Sequence, residues 1–112
     1  MPQARKMQIK KSYLNINPEI LYDEVRELVE KYGAAADQAK LQTYSLPSAV
    51  SYTRGTVTFK TGEKESLRAH IVGTAASQTK ILLDIDDTLF PADKIKALEG
   101  DLDFVFGSYE ES

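Results

Sequence analysis

The chain of 112 residues contains no cysteine. Disulfides, thiolate metal sites and a cysteine nucleophile are thereby excluded. No apolar run approaches the ~18–20 residues that a membrane-crossing helix needs. The first residues, Met-Pro-Gln-Ala-Arg-Lys, lack the apolar stretch of a secretory signal. Glycine is sparse: its six copies are scattered, and none builds a glycine-rich phosphate loop behind a strand. What is present is an ordinary globular mixture, 42% hydrophobic and 28% charged, which excludes a mostly disordered or collagen-like chain. At ~100–200 residues per domain, the length predicts a single domain over 1–112. A cytoplasmic domain is expected, with 1–6 as a flexible arm and 107–112 as a flexible tail.

Charge is unevenly spread. The formal net charge of −3 argues against a nucleic-acid binder, which usually carries a basic face and a high pI. Arg5, Lys6, Lys10 and Lys11 open the chain without an acid, whereas nine acids from Asp84 onward face only Lys94 and Lys96. Neither stretch is an unbroken block of one sign, so both read as solvated surface whose ends attract.

The strongest local signal is a helix over 18–32. Asn17 can accept from an orphan backbone N–H as N-cap. Pro18 suits a first helical position that needs no N–H, and Glu19 favours the positive end of the dipole. Leu21, Val25, Leu28 and Tyr32 recur on one face. Gly33 can take the left-handed cap conformation. Extended segments are predicted at Met7–Leu14, Lys40–Leu46 (stopped by Pro47), Ala49–Lys60, Ser66–Val72 and Thr79–Ile85. Thr61-Gly62-Glu63 supplies one turn and 73–77 a loop of small residues. Side chains alternate along a strand. One face therefore collects Val57, Phe59, Leu67, Ala69, Ile71, Ile81, Leu83 and Ile85, the natural mate of the helix stripe. Burying each large apolar side chain is worth ~1.5–3 kcal/mol. The tail supports two readings. A helix through Ile95 and Leu98 capped by Gly100 would be followed by a strand at Leu102, Phe104 and Phe106. Alternatively one long helix carries Ile95, Leu98, Leu102, Val105 and Tyr109. The run Phe-Val-Phe and the acids near a helix C-terminus favour the strand.

One motif looks catalytic. Ile81-Leu82-Leu83-Asp84-Ile85-Asp86-Asp87-Thr88-Leu89 resembles the first motif of the haloacid dehalogenase superfamily, a hydrophobic strand ending in Asp-x-Asp-x-Thr. That resemblance implies Asp84 as a nucleophile toward phosphorus and Asp86 as acid and base, with a bridging magnesium ion. It also implies a doubly wound parallel sheet. Only 24 residues follow Thr88, too few for further parallel strands whose crossovers take about a dozen residues each. The upstream strands succeed one another without helices, an antiparallel pattern. Asp also favours turns, so the motif reads first as the exit of a strand and second as a phosphotransfer site. It fails as a calcium loop, which needs Gly at the sixth place and Glu at the twelfth. Counting from Asp84, those places hold Leu89 and Ile95.

The opposite face of the strands offers a binding candidate. Tyr52, Arg54, Thr56 and Thr58 alternate outward on one strand, Arg68 and His70 on the next, and Lys80, Leu82 and Asp84 on the last; Tyr44 can join them. Arg presents a fork to carboxylate or phosphate. The same mixture is what a wet face of an antiparallel sheet carries. The order of strand, helix, antiparallel strands and C-terminal segment, with Ile16-Asn17-Pro18-Glu19 leading into the helix, resembles helix-grip (START-like) folds. That resemblance implies a hydrophobic ligand held between a curved sheet and a long terminal helix.

These readings predict an α+β fold: an antiparallel sheet of four to six strands with one or two helices packed on one face. The expected function is a non-catalytic binding or protein-interaction domain using Tyr44, Tyr52, Arg54, Arg68 and His70. Its partner is an unknown small ligand or protein, a second copy included, without cofactor, metal, nucleic acid or membrane. The alternative is a magnesium-dependent phosphotransferase using Asp84 and Asp86.

Overall fold

Asn17 starts the first helix through its side chain, whose Oδ1 accepts from the Glu19 backbone N–H at 2.8 Å. Pro18 occupies the first helical turn, and the helix α1 runs Pro18–Lys31. Gly33 then takes φ 98°, a left-handed conformation that costs a residue without a Cβ little. The computed structural model describes residues 6–45, 51–74 and 78–109. Around α1 lie the strands β1 (Lys6–Leu14), β2 (Ala35–Ser45), β3 (Ser51–Thr61), β4 (Lys64–Gly73) and β5 (Gln78–Asp86). A second helix, α2 (Ala92–Phe106), and a 3-10 turn at Gly107–Tyr109 follow. Of the expected arm 1–6 and tail 107–112, residues 1–5 and 110–112 lie outside the described residues, whereas Lys6 opens β1 and Gly107–Tyr109 form the 3-10 turn. Pro47 and most of the small-residue loop also lie outside the described residues.

The five strands form one antiparallel sheet in the order β1-β5-β4-β3-β2. Three hairpins lay β2 to β5 side by side, and β1 closes the far edge against β5. The fold is therefore α+β, with both helices packed on one sheet face. That face is the predicted one: Val57, Phe59, Leu67, Ala69, Ile71, Ile81, Leu83 and Ile85 are all buried. Leu21, Tyr22, Val25 and Val29 of α1 meet them. The stripe is rotated slightly from the expected one, since Leu28 and Tyr32 are only partly buried.

The strand expected at Leu102–Phe106 is instead the last turns of α2. Ile95, Leu98, Leu102 and Phe106 are buried, at steps of three, four and four that only a helix places on one side. The Phe106 ring lies 5.4 Å from that of Tyr13 in β1, and Lys11 pairs with Asp103 at 2.9 Å. These tertiary contacts outweigh the β preference of the Phe-Val-Phe run. The long-helix alternative had the element right but the stripe wrong by one position: Val105 and Tyr109 are exposed. The two helices are tied where α1 ends. Lys94 Nζ donates to the Tyr32 carbonyl at 3.0 Å, and the Tyr32 hydroxyl donates to Asp101, which Lys31 also approaches at 3.3 Å. The hydrogen bond from Tyr32 holds the Asp101 carboxyl below the usual carboxylate range, and the same bond raises the Tyr32 hydroxyl.

Gly100 lies inside α2, exposed, and a Cβ there would meet nothing within 4 Å. Glycine inside a helix costs roughly 0.5–1 kcal/mol relative to alanine. Gly100→Ala is therefore expected to raise the thermal midpoint by about 2–6 °C, read by circular dichroism. A lower midpoint would contradict a continuous helix through this position.

Candidate functional site

Because side chains alternate, the residues between the core positions form a second surface facing away from the helices. The register sets their neighbours. Across one row lie Lys10, Leu82, His70, Thr56 and Lys40, each the direct partner of the next. Across the next row lie Ser12, Lys80, Val72, Arg54 and Gln42. Adjacent strands are ~4.7–4.9 Å apart, so Leu82 is bracketed by Lys10 and His70, and Val72 by Lys80 and Arg54. Lys10, Lys40, Arg54 and Lys80 are exposed, and among the described residues none of them has a salt bridge. Val72 is 42% exposed. An apolar pair, Val72 exposed and Leu82 half-buried, is thus framed by cations that make no salt bridge among the described residues. A shallow depression of about 440 Å³ runs over it between Lys10, Lys80 and Leu82.

The predicted binding residues fall into three groups. Arg54 and His70 belong to this patch. Arg68 shares the outer face but sits nearer the other end, where its guanidinium is held by Glu65 at 2.8 Å. Tyr52 lies further along β3, partly buried, and Tyr44 is its partner in the register while its side chain lies outside the described residues. Sequence reasoning placed Lys80 and Leu82 on the face without assigning them to the site, and it missed Lys10 and Lys40. Alternation in β1 sets Lys10 on the same side as Gln8. What was lacking was the pairing of β1 with β5, across more than sixty residues of chain.

His70 stands between a hydroxyl and a carboxylate. Thr56 Oγ1 is 3.3 Å from Nδ1, and Asp84 Oδ2 is 3.5 Å from Nε2. Backbone N–H groups of these interior strands are taken up in the ladders on both sides, so the imidazole is surrounded by side chains alone. The arrangement orients the imidazole on the patch.

Asp84 and Asp86 project from the same side of β5, as the period of two requires. Asp84 accepts from Gln8 Nε2 at 2.7 Å. Asp86 accepts from the Thr88 backbone N–H at 2.9 Å and from its hydroxyl at 2.6 Å, an Asx-type closure of the turn into α2. Both neighbours of β5 are antiparallel, so the motif does not sit in the doubly wound parallel sheet that its resemblance implies. Among the described residues, no group of three or more His, Asp or Glu side chains is placed to hold a metal ion. Among the same residues, no helix is long and apolar enough to cross a membrane. No protein-family model matches the chain, and no curated protein matches its sequence.

Proposed function

We propose that the chain is a non-catalytic binding domain whose outer sheet face receives an acidic protein surface carrying an apolar tip. One observation carries this reading: Leu82 and Val72 are bracketed by Lys10, Lys80 and Arg54, cations that no acid of the described residues neutralises. These cations make no salt bridge among the described residues, and an acidic partner would neutralise them while covering the two apolar side chains. In the helix-grip likeness the ligand would instead lie between the sheet and the terminal helix. Here Leu98, Leu102 and Phe106 are buried on that side, which favours the outer face.

The test uses a fluorescein-labelled amphipathic peptide of glutamate and leucine as the probe, with binding read by anisotropy at low salt. Wild-type protein is expected to bind it. Lys10→Glu with Lys80→Glu is expected to weaken binding at least about tenfold and to leave the thermal midpoint nearly unchanged, since exposed changes stay within ~0.5 kcal/mol each. Equal binding by the double variant would overturn the reading, as would absence of binding by wild type. Arg68→Ala is the internal comparison. Its guanidinium is already engaged by Glu65, so its loss is expected to matter less than that of Arg54.

A further inference from the structure

The partner that best complements the basic face is present in the molecule itself. We propose that the helical layer of one copy docks on the outer sheet face of the next, head to tail, a proposal that rests on the binding role assigned to that face above. The two layers carry opposite charge. In α1, Glu19, Asp23, Glu24, Glu27 and Glu30 stand against Arg26 and Lys31. In α2, Asp93, Glu99, Asp101 and Asp103 stand against Lys94 and Lys96.

The acidic layer also has the apolar tip that the patch calls for. Phe104 is 90% exposed, more than any other large hydrophobic residue described. Side chains four before and three after it would share its stretch of helix surface, and those places are Gly100 and Gly107. A Cβ at either glycine would meet nothing within 4 Å. The ring therefore stands on a bare collar with Asp103 beside it, a shape that lets a flat sheet approach closely. Set on Leu82 and Val72, it brings the acidic helical layer toward Lys10, Lys80 and Arg54.

The two complementary faces lie on opposite sides of each molecule, because the helices cover one side of the sheet and the cations occupy the other. Two copies cannot satisfy both faces reciprocally. Such a contact is heterologous and repeats from copy to copy, giving chains of molecules rather than a closed pair. Charge dominates its rim, so the association is weakened by salt.

Sedimentation velocity of the full chain tests this over a wide range of protein concentration at about 10 mM and about 1 M salt. At low salt the mean mass is expected to rise steadily with concentration, and at high salt to fall back to that of one chain. Phe104→Ala and Lys10→Glu/Lys80→Glu are each expected to weaken association more than about tenfold, as loss of a central anchor does, with unchanged circular dichroism. Mixed together, these two variants retain one working contact between them and are expected to form a one-to-one pair and nothing larger. A wild-type chain that stays single at low salt and high concentration overturns the proposal. So does a dimer of fixed mass indifferent to both variants, or a mixture that forms no pair. Self-association failing while the glutamate–leucine peptide still binds would remove the second copy and leave the binding face; loss of both would remove both.

Discussion

Leu83→Ala is expected to remove a large part of the domain's stability, whereas Leu82→Ala, one residue earlier, is expected to cost little. Leu83 lies in β5, the second strand of the sheet, with no exposed surface. Its partners in the ladders are Ile9 of β1 and Ala69 of β4. Alanine on one side offers no side chain that could swing into the space a leucine leaves. Large-to-small changes in such places cost about 2–5 kcal/mol and rise with the residual cavity, so the upper part of that range is expected. A domain of this size has roughly 5–15 kcal/mol in total. At about 4–6 °C per kcal/mol, the midpoint should drop by some tens of degrees in a thermal scan. Leu82 lies half-buried on the outer face beside Lys10 and His70, and its truncation should shift the midpoint by only a few degrees while weakening the binding face. The pair of variants tests the register itself, because a slip of one residue would exchange the two side chains between core and solvent. Similar losses for both would contradict the sheet as described.

That contrast was legible from alternation alone, and so was most of what is governed by local chemistry. Asn17, Pro18, Glu19 and Gly33 specify both ends of α1 without help from the rest of the chain. The inner faces of β3, β4 and β5 follow from period two because each of these strands has one buried side. Legibility fails where burial does not impose a pattern. Ala35 to Ala39 form the start of the edge strand β2, exposed on both sides and interrupted by a bulge between Ala36 and Gln38, so nothing alternates there. The end of α2 misleads for the opposite reason. Phe104, Val105 and Phe106 have strand preferences, but only Phe106 is buried, and its contact with Tyr13 joins residues more than ninety apart. The binding face was half visible. Arg54, Arg68 and His70 follow from alternation within hairpins, while Lys10 and Lys40 belong to the two edge strands, whose alternation is obscured by adjacent lysines in one and by missing burial in the other.

Gly73→Ala is expected to damage the same binding face from a position that contributes nothing to it. Gly73 is the last residue of β4 and pairs with Thr79 of β5. A Cβ built on it would stand 2.4 Å from the Gln78 carbonyl oxygen and 2.4 Å from Thr79 Cα. Those are backbone atoms of the partner strand, so no rotamer change relieves the overlap and the two strands must separate locally. The situation differs only in part at Gly55, where the nearest obstacle is the flexible end of the Leu41 side chain but the Lys40 carbonyl oxygen of β2 would also lie at 2.8 Å. It differs again at Gly62, where no atom lies within 4 Å and the cost comes from φ 67° alone, roughly 1–2 kcal/mol. For Gly73→Ala a loss of about 3 kcal/mol is expected, the upper end of over-packing, measured by chemical denaturation beside Gly62→Ala. The β4–β5 ladder also sets Val72 against Lys80 and His70 against Leu82. Parting its end should therefore raise amide exchange along these two strands and weaken peptide binding more than the stability loss alone accounts for. If Gly73→Ala folds normally, exchanges normally and binds normally, the close approach of β4 and β5 that organises both faces of the sheet is wrong.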